Sequence, residues 1–489
     1  MNQICCTKNC TREIFKDESK CALHCHKHDY QTDLNSGLLQ AFYTALENYI
    51  THQQTEQDIE VTFTQIFFPQ YDLQNASEYI SLLAHLPKIT FNFCRFNCSE
   101  LPFTNTEYFF QACEFRKDWH ISDAKILKNS NNVLYHICHF KQNTYLNTQN
   151  EELLTLDFSL FTDCAFDQLL FLKNTQFNQE MFKNTKSVPI RISQLMIEDC
   201  NFTSRFSLNH AEIKSLSILH SEFKSKFELK ESNLEQANII NANFSALFDT
   251  YRSQFKKFLC SRCIFDGFVG FEECQFSKGI QDSEPTSIPR FEYATFLSFV
   301  NFRNSTFHNG LNLDLINLSG EVNFLNSDIA FKNTSRETYR IIKYSFDKVG
   351  DHIEANHFFA DEMKKYKEYL FSNPNADKQE KCIFWLNEKM SNFGQNYVQP
   401  LILMVIFAVL YGTILYGYQH NWVAHSFPTL SLFIEKIMAP LNFIAKNVMP
   451  FKRFADLKPG MEFISLVFTI ILASLTWQLI VAIKRHTRR

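Results

Sequence analysis

The chain has 489 residues, enough for about three domains, with a formal net charge of −4. Phenylalanine contributes 52 residues and glycine only 11, within a composition that is 45% apolar and 20% charged. This excludes a disordered or collagen-like chain, and the balanced charge gives no footprint for nucleic acid.

The first 29 residues concentrate Cys5, Cys6, Cys10, Cys21 and Cys25, with His24, His26 and His28 beside them. A set such as Cys6-x3-Cys10-x10-Cys21-x2-His24 supplies four ligands for tetrahedral zinc; Cys5 can replace Cys6, and Cys25 can replace His24. A reducing cytoplasm gives disulfides no role in this density. So short a segment buries no core of its own, which makes structural zinc the expected cofactor. Residues 30–90 follow as a small α+β cap. Leu38, Leu39, Phe42, Leu46 and Ile50 line one face of a helix over 34–50; 58–68 alternate as a strand, and 76–86 read as helical.

From about residue 91 to 334 the period is five. The clearest form is Cys-x-Phe, at Cys94/Phe96, Cys113/Phe115, Cys138/Phe140, Cys164/Phe166, Cys200/Phe202, Cys263/Phe265 and Cys274/Phe276. Longer runs keep register: Leu208, Ile213, Ile218, Phe223, then Leu229, Leu234, Ile239, Phe244, then Phe296, Phe302, Phe307, Leu313, Leu318, Phe324, Ile329. Two places before most of them stands a small residue, as at Ala211, Ser221, Ser232, Ala237 and Ala242. The pattern weakens near 129–137, 141–160, 178–190, 247–259 and 279–290. These runs, ANIINANFSA at 237–246 above all, resemble the pentapeptide-repeat family, whose unit reads approximately A-[N/D]-[L/F]-x-x. The resemblance implies a right-handed quadrilateral β-helix, with one repeat per face and about four repeats per coil. Its central Phe or Leu stacks inside and the small residue fills the remaining space. Some soluble members mimic DNA with an acidic rod; here acidic and basic side chains are interspersed, which argues against that use.

Residues 335–396 form a charged helical neck, with helices expected over 336–348 and 351–370 and a break at Gly350. Lys343, Gly350, Asp351, Glu354 and Ala355 are similar to a motif that follows the repeats in two-span members of the family. The remainder, 397–489, is a membrane module. Val398–Tyr418 and Phe463–Ile483 are uncharged runs of 21 residues, each long enough to cross about 30 Å of hydrocarbon. Tyr411, Tyr416, Tyr418 and Trp422 mark one interface. Lys484, Arg485, His486, Arg488 and Arg489 close the second run, so both termini are expected in the cytoplasm. In the connecting loop, Leu430, Phe433, Ile434 and Ile437 make an apolar helical face with Glu435 as its one acidic group. That helix either lies along the headgroups or lines a pore.

No G-x-G-x-x-G or G-x-S-x-G occurs, and Tyr418 stands where the Gly412/Gly417 pair would need a lysine to hold phosphate. The expectation is therefore a non-enzyme: a membrane-anchored scaffold or sensor whose cytoplasmic rod recognises a protein. The alternative is an oligomeric pore, for example a stress or anti-phage effector that permeabilises the membrane. Expected partners are the lipid bilayer, an unidentified cytoplasmic protein and further copies of the chain, with no nucleic acid.

Overall fold

The computed structural model describes residues 4–8, 10–16, 18–53, 60–71, 78–101, 106–121, 133–146, 153–183, 189–279, 287–420, 436–442 and 460–487. The chain forms two units, Met1–Thr334 and Ser335–Arg489.

The first unit is a β-solenoid. Its strands pair in parallel and fall into four sheets of 6, 15, 8 and 6 strands. In the regular part a coil contributes the strands Phe206–Ser207, Glu212–Leu219 and Glu222–Phe223 to three of these sheets. The next coils repeat it at a 21-residue step, pairing Glu212 with Asn233, Asn233 with Gln254 and Gln254 with Gln275.

The register expected from the five-residue period holds. Leu208 to Phe223 and Leu229 to Phe244 are buried at every fifth position, and so are Ala211, Ser221, Ser232, Ala237 and Ala242. All seven Cys-x-Phe pairs are buried as well. The local reason is a corner. His210, His220, Glu231, Asn241, Arg252 and Arg262 each precede a small residue and take φ between 47° and 58°. This left-handed conformation costs a non-glycine residue roughly 1–2 kcal/mol. It is offset because the same residue donates its N–H to the next coil, as His220 does to Ile240 at 3.1 Å and Asn241 to Ser261 at 3.0 Å. At Ser232, Ser253 and Cys263 the small residue also turns its hydroxyl or thiol onto a carbonyl of the preceding coil: Ser232 Oγ donates to Leu208 O at 2.8 Å, Ser253 Oγ to Leu229 O and Cys263 Sγ to Ile239 O at 3.4 Å.

Between the corners, aromatic rings stack coil on coil. Phe177, Phe202, Phe223, Phe244, Phe265 and Phe296 form one ladder with centroids 4.7–5.0 Å apart. Phe68, Phe96, Phe115, Phe140 and Phe166 form another at 4.6–5.0 Å. Each buried ring contributes about 1.5–3 kcal/mol through removal from water, plus roughly 0.5–1.5 kcal/mol from each ring pair.

Three features depart from the sequence reading. Stacking starts before residue 91, since Glu60–Thr64 pairs with Lys88–Asn92 and Phe67–Phe68 with Arg95–Phe96. The stretch 247–259 does not interrupt the rod: Phe248, Phe255 and Phe258 are buried, and Gln254–Ser261 pairs along its length with Asn233–Ile240. Thr250 and Cys260 occupy central positions there, which hid the period. In the last coil Ile316, Leu318, Ser327 and Ile329 are only half-buried. At the N-terminal side lie α1 (Tyr30–Asn35), α2 (Leu38–Gln53) and α3 (Glu78–Ala84). The single helix expected from residue 34 is divided by Gly37, at φ 73°. Leu38, Phe42, Leu46 and Ile50 face inward from α2 as anticipated.

The second unit is helical. Two neck helices, α4 (Arg336–Val349) and α5 (His352–Ser372), meet at Gly350, whose φ is 84°; Ser335 and Asp351 cap their N-termini. Glu362 of α5 is buried and meets Lys343 at 3.0 Å and Arg340 at 3.7 Å, both from α4. A third neck helix, α6 (Lys378–Ser391), adds to the two expected. Then come α7 (Val398–Gln419) and α8 (Glu462–Thr487), both long and apolar enough to cross a membrane. They pair through Tyr411, whose hydroxyl donates to Ser465 Oγ at 2.8 Å and whose ring stacks on Phe468 at 4.9 Å. In the connecting loop residues 436–442 are helical, while Leu430, Phe433, Ile434 and Glu435 lie outside the described residues.

Candidate metal centre

The N-terminal segment folds back on itself. Ile4 and Glu13 form an antiparallel bridge, and the Cys5 and Cys6 N–H groups donate to Arg12 O and Ser19 O. Residues 21–25 then make one helical turn, with the Cys25 N–H on Cys21 O at 2.9 Å. Three residues apart in that turn, Cys21 and His24 point the same way, so Cys21 Sγ lies 3.2 Å from His24 Nδ1. The folded-back arm brings Cys10 Sγ to 3.8 Å from Cys21 Sγ, and Cys5 Sγ to 3.6 Å from His24 Nδ1. All four ligand atoms lie within 4.8 Å of one another and are buried.

The three shorter separations, 3.2–3.8 Å, are close to those around a tetrahedral ion, and the wider ones, within 4.8 Å, would close by up to about 1 Å on binding. Zn–S bonds of about 2.3 Å and Zn–N bonds of about 2.0–2.1 Å place tetrahedral ligand atoms roughly 3.6–3.8 Å apart. Three thiols and one imidazole also match the soft donor preference of zinc. His24 presents Nδ1 to the thiols, and a hydrogen bond with the Thr64 backbone ties it to the first coil, the kind of outer contact that fixes a ligand ring.

Electrostatics agree with the geometry. Burial, followed by the charges of Arg12 and Lys27, pushes His24 down to about 4, which keeps the ring neutral and able to ligate. Burial pushes the Cys21 thiol up to about 12, reinforced by Cys10 and Cys5. Burial also acts upward on Cys5, but hydrogen bonds led by Thr7 outweigh it and bring that thiol to about 7. A cation at the centre would relieve the crowding of thiolates that raises Cys21.

Of the residues singled out by sequence, the structure brings together Cys5, Cys10, Cys21 and His24. Cys6 is exposed and turns to Ser19 Oγ at 3.9 Å. Cys25 is buried on the other side of the turn, where Lys27 Nζ donates to its sulfur at 3.4 Å. Glu435 is outside the described residues. The segment is also not isolated, contrary to the expectation of a coreless knuckle. Ala22, Cys25 and Leu38 share a small core with Phe15, Ala41 and Ala45, and the Phe67 N–H donates to Leu23 O at 2.9 Å. Lys27, fully buried, sits over the rings of Phe42 and Phe67 at 5.2 and 5.8 Å. Nothing in the spacing of the sequence marked this docking; the one available signal was the apolar pair Ala22–Leu23 between two ligands.

Compared with protein-family models, curated proteins and solved structures, the chain gives no match. The stacked coils of about 21 residues and the two apolar helices are compatible with a pentapeptide-repeat protein anchored in a membrane.

Proposed function

We propose that this chain is a membrane-anchored pentapeptide-repeat protein that binds a cytoplasmic protein along its rod, and that it performs no catalysis. The observation that carries this reading is the join of a stacked aromatic rod to a unit whose α7 exposes Leu401, Ile402, Val405, Ile406, Val409 and Leu410. A soluble core helix buries such a row; a lipid-facing one displays it. The rod takes the right-handed quadrilateral form of that family, zinc holds the N-terminal segment through Cys5, Cys10, Cys21 and His24, and both termini face the cytoplasm. When bound, zinc supplies a structural cross-link with four protein ligands and no open position for substrate.

A second reading, assembly of several copies around a pore, is favoured by one contrast. On α8, Ala473 and Ser474 are exposed beside Ile470 and Trp477, and small or hydroxyl residues are enriched where membrane helices pack on one another. Particle stoichiometry of the full chain in detergent, followed by ion leakage from liposomes, tests both. A monomer without leakage supports the anchored scaffold. A closed ring with leakage supports the pore and overturns the scaffold.

A further inference from the structure

The two faces of α6 differ in kind. One packs on α5: Tyr366 Oη donates to Glu380 at 2.8 Å, the Tyr366 and Phe384 rings meet edge-on at 5.1 Å, and Lys367 pairs with Glu388 at 2.5 Å. Around the rest of α6, Cys382 and Leu386 lie opposite this contact with Trp385 and Ile383 to either side, all exposed, Ile383 at 61%. Lys378 and Lys389 are exposed on the same side. An apolar strip with tryptophan, flanked by lysines, is the composition of helices that lie at a membrane surface.

Two ties fix the level of this face. Ser391 Oγ, at the end of α6, donates to Gln478 Oε1 at 2.9 Å, and Gln478 lies inside the uncharged run that ends at Ile483. With a helical rise of about 1.5 Å per residue, Ile483 is about 7.5 Å beyond Gln478. By the same rise, Leu386 is about 7.5 Å and Ile383 about 12 Å from Ser391. Whatever the tilt of α6, its exposed apolar residues therefore stay within about 12 Å of the level of Gln478. Even pointing straight outward, α6 carries them only about 5 Å along its axis past the level of Ile483, comparable with the roughly 5–7 Å headgroup layer, and its exposed lysines oppose turning inward into hydrocarbon. The second tie is Arg485, which donates to Phe393 O and covers the Phe359 ring at 4.6 Å. Gly394 permits this approach, since a Cβ there would stand 2.7 Å from the guanidinium.

We propose that α6 is a membrane-surface helix. Cys382, Ile383, Trp385 and Leu386 bed into the leaflet entered by the C-terminal end of α8, and Lys378 and Lys389 bind anionic phospholipid headgroups. This rests on the reading that α7 and α8 span the bilayer, and it assigns the neck a lipid partner of its own. The occupant follows from continuity with the spans, from the tether at Gln478 and from the complementary charge of the two lysines.

The test uses the full chain in vesicles, with an environment-sensitive fluorophore on Cys382 in a Cys6→Ser background. Cys6 and Cys382 are the exposed thiols among the described residues. A parallel sample carries the label at Ile406→Cys, with Cys6→Ser and Cys382→Ser, to report the middle of α7. The expected result is several-fold stronger quenching of the Cys382 label by a lipid-borne quencher than by an aqueous one, increasing when anionic phospholipid is added. Lys378→Glu with Lys389→Glu should abolish that increase. Aqueous quenching at Cys382 alongside lipid quenching at position 406 overturns the surface helix and leaves the spans intact. Aqueous quenching at both positions overturns the spans and the surface helix together. An increase that persists in the double Glu variant overturns headgroup binding by the lysines.

Discussion

The rod and the apolar helix pair handle hydrophobic side chains in opposite ways. In the rod, rings stack inward on successive coils, and the outward positions beside them are mostly polar, as Asn243 is beside Phe244. Exceptions such as Phe93, Ile137, Tyr293 and Leu315 stand outward; all four occupy left-handed corners. In α7 the order is reversed: of its residues only Pro400 is buried, and aliphatic side chains cover the outside. The first pattern is stable in water because burial drives it. The second is stable only where the solvent is itself apolar. One chain thus contains two solutions to the same problem, and the second is that of helices long and apolar enough to cross a membrane.

The largest effect should come from the rod. Phe244→Ala is expected to destabilise the solenoid by about 3–5 kcal/mol, through lost burial and the cavity left in the ladder. Asn243→Ala, one residue away and exposed, should cost under about 1 kcal/mol. Chemical denaturation followed by circular dichroism checks both, and equal losses would break the assignment of inner and outer positions. Next is the helical unit. Ile406→Lys, midway along α7, should raise the cost of membrane insertion by about 2.5–3.5 kcal/mol. The same change should leave the rod's unfolding where it was. Comparing membrane-bound fraction with rod stability separates the two; a destabilised rod with normal insertion would contradict the account.

A smaller effect on the rod is expected from the metal centre. Metal analysis should find about one zinc per chain, and Cys10→Ser with Cys21→Ser should remove it while the β-signal in circular dichroism stays. Full zinc content in that double variant would contradict the ligand set. Acid should loosen the same segment in metal-free protein. His24 is held at about 4 by burial and by Arg12 and Lys27, against about 6.5 in an unfolded chain. Between these values the unfolded state binds more protons, so stability is present above pH 6.5 and declines as pH falls toward 4. Hydrogen exchange at residues 21–28 should accelerate over that window; slower exchange on acidification would contradict the sign.

Much of this was legible beforehand, and for identifiable reasons. A five-residue period in large and small residues specifies the inner positions directly, because each coil repeats one packing problem. Two long uncharged runs likewise need no tertiary information. What stayed hidden depends on backbone direction. Cys5 and Cys6 are chemically equal in the sequence; the fold of the arm turns Cys5 inward and leaves Cys6 beside Ser19. His24 and Cys25 are separated the same way by one helical turn, and buried Lys27 then gives Cys25 a different neighbour. The continuity of the rod through 247–259 was masked by Thr250 and Cys260, which keep the register without the expected Leu or Phe. The helix α6 lies beyond the two neck helices expected from the sequence, and its Ile383, Trp385 and Leu386 face outward.

The most direct measurement is alkaline extraction of membranes containing either the full chain or residues 1–334. The account predicts that the full chain remains with the lipid and that residues 1–334 are released into the aqueous fraction. Release of the full chain, or retention of residues 1–334, would contradict the claim that α7 and α8 anchor a water-stable rod.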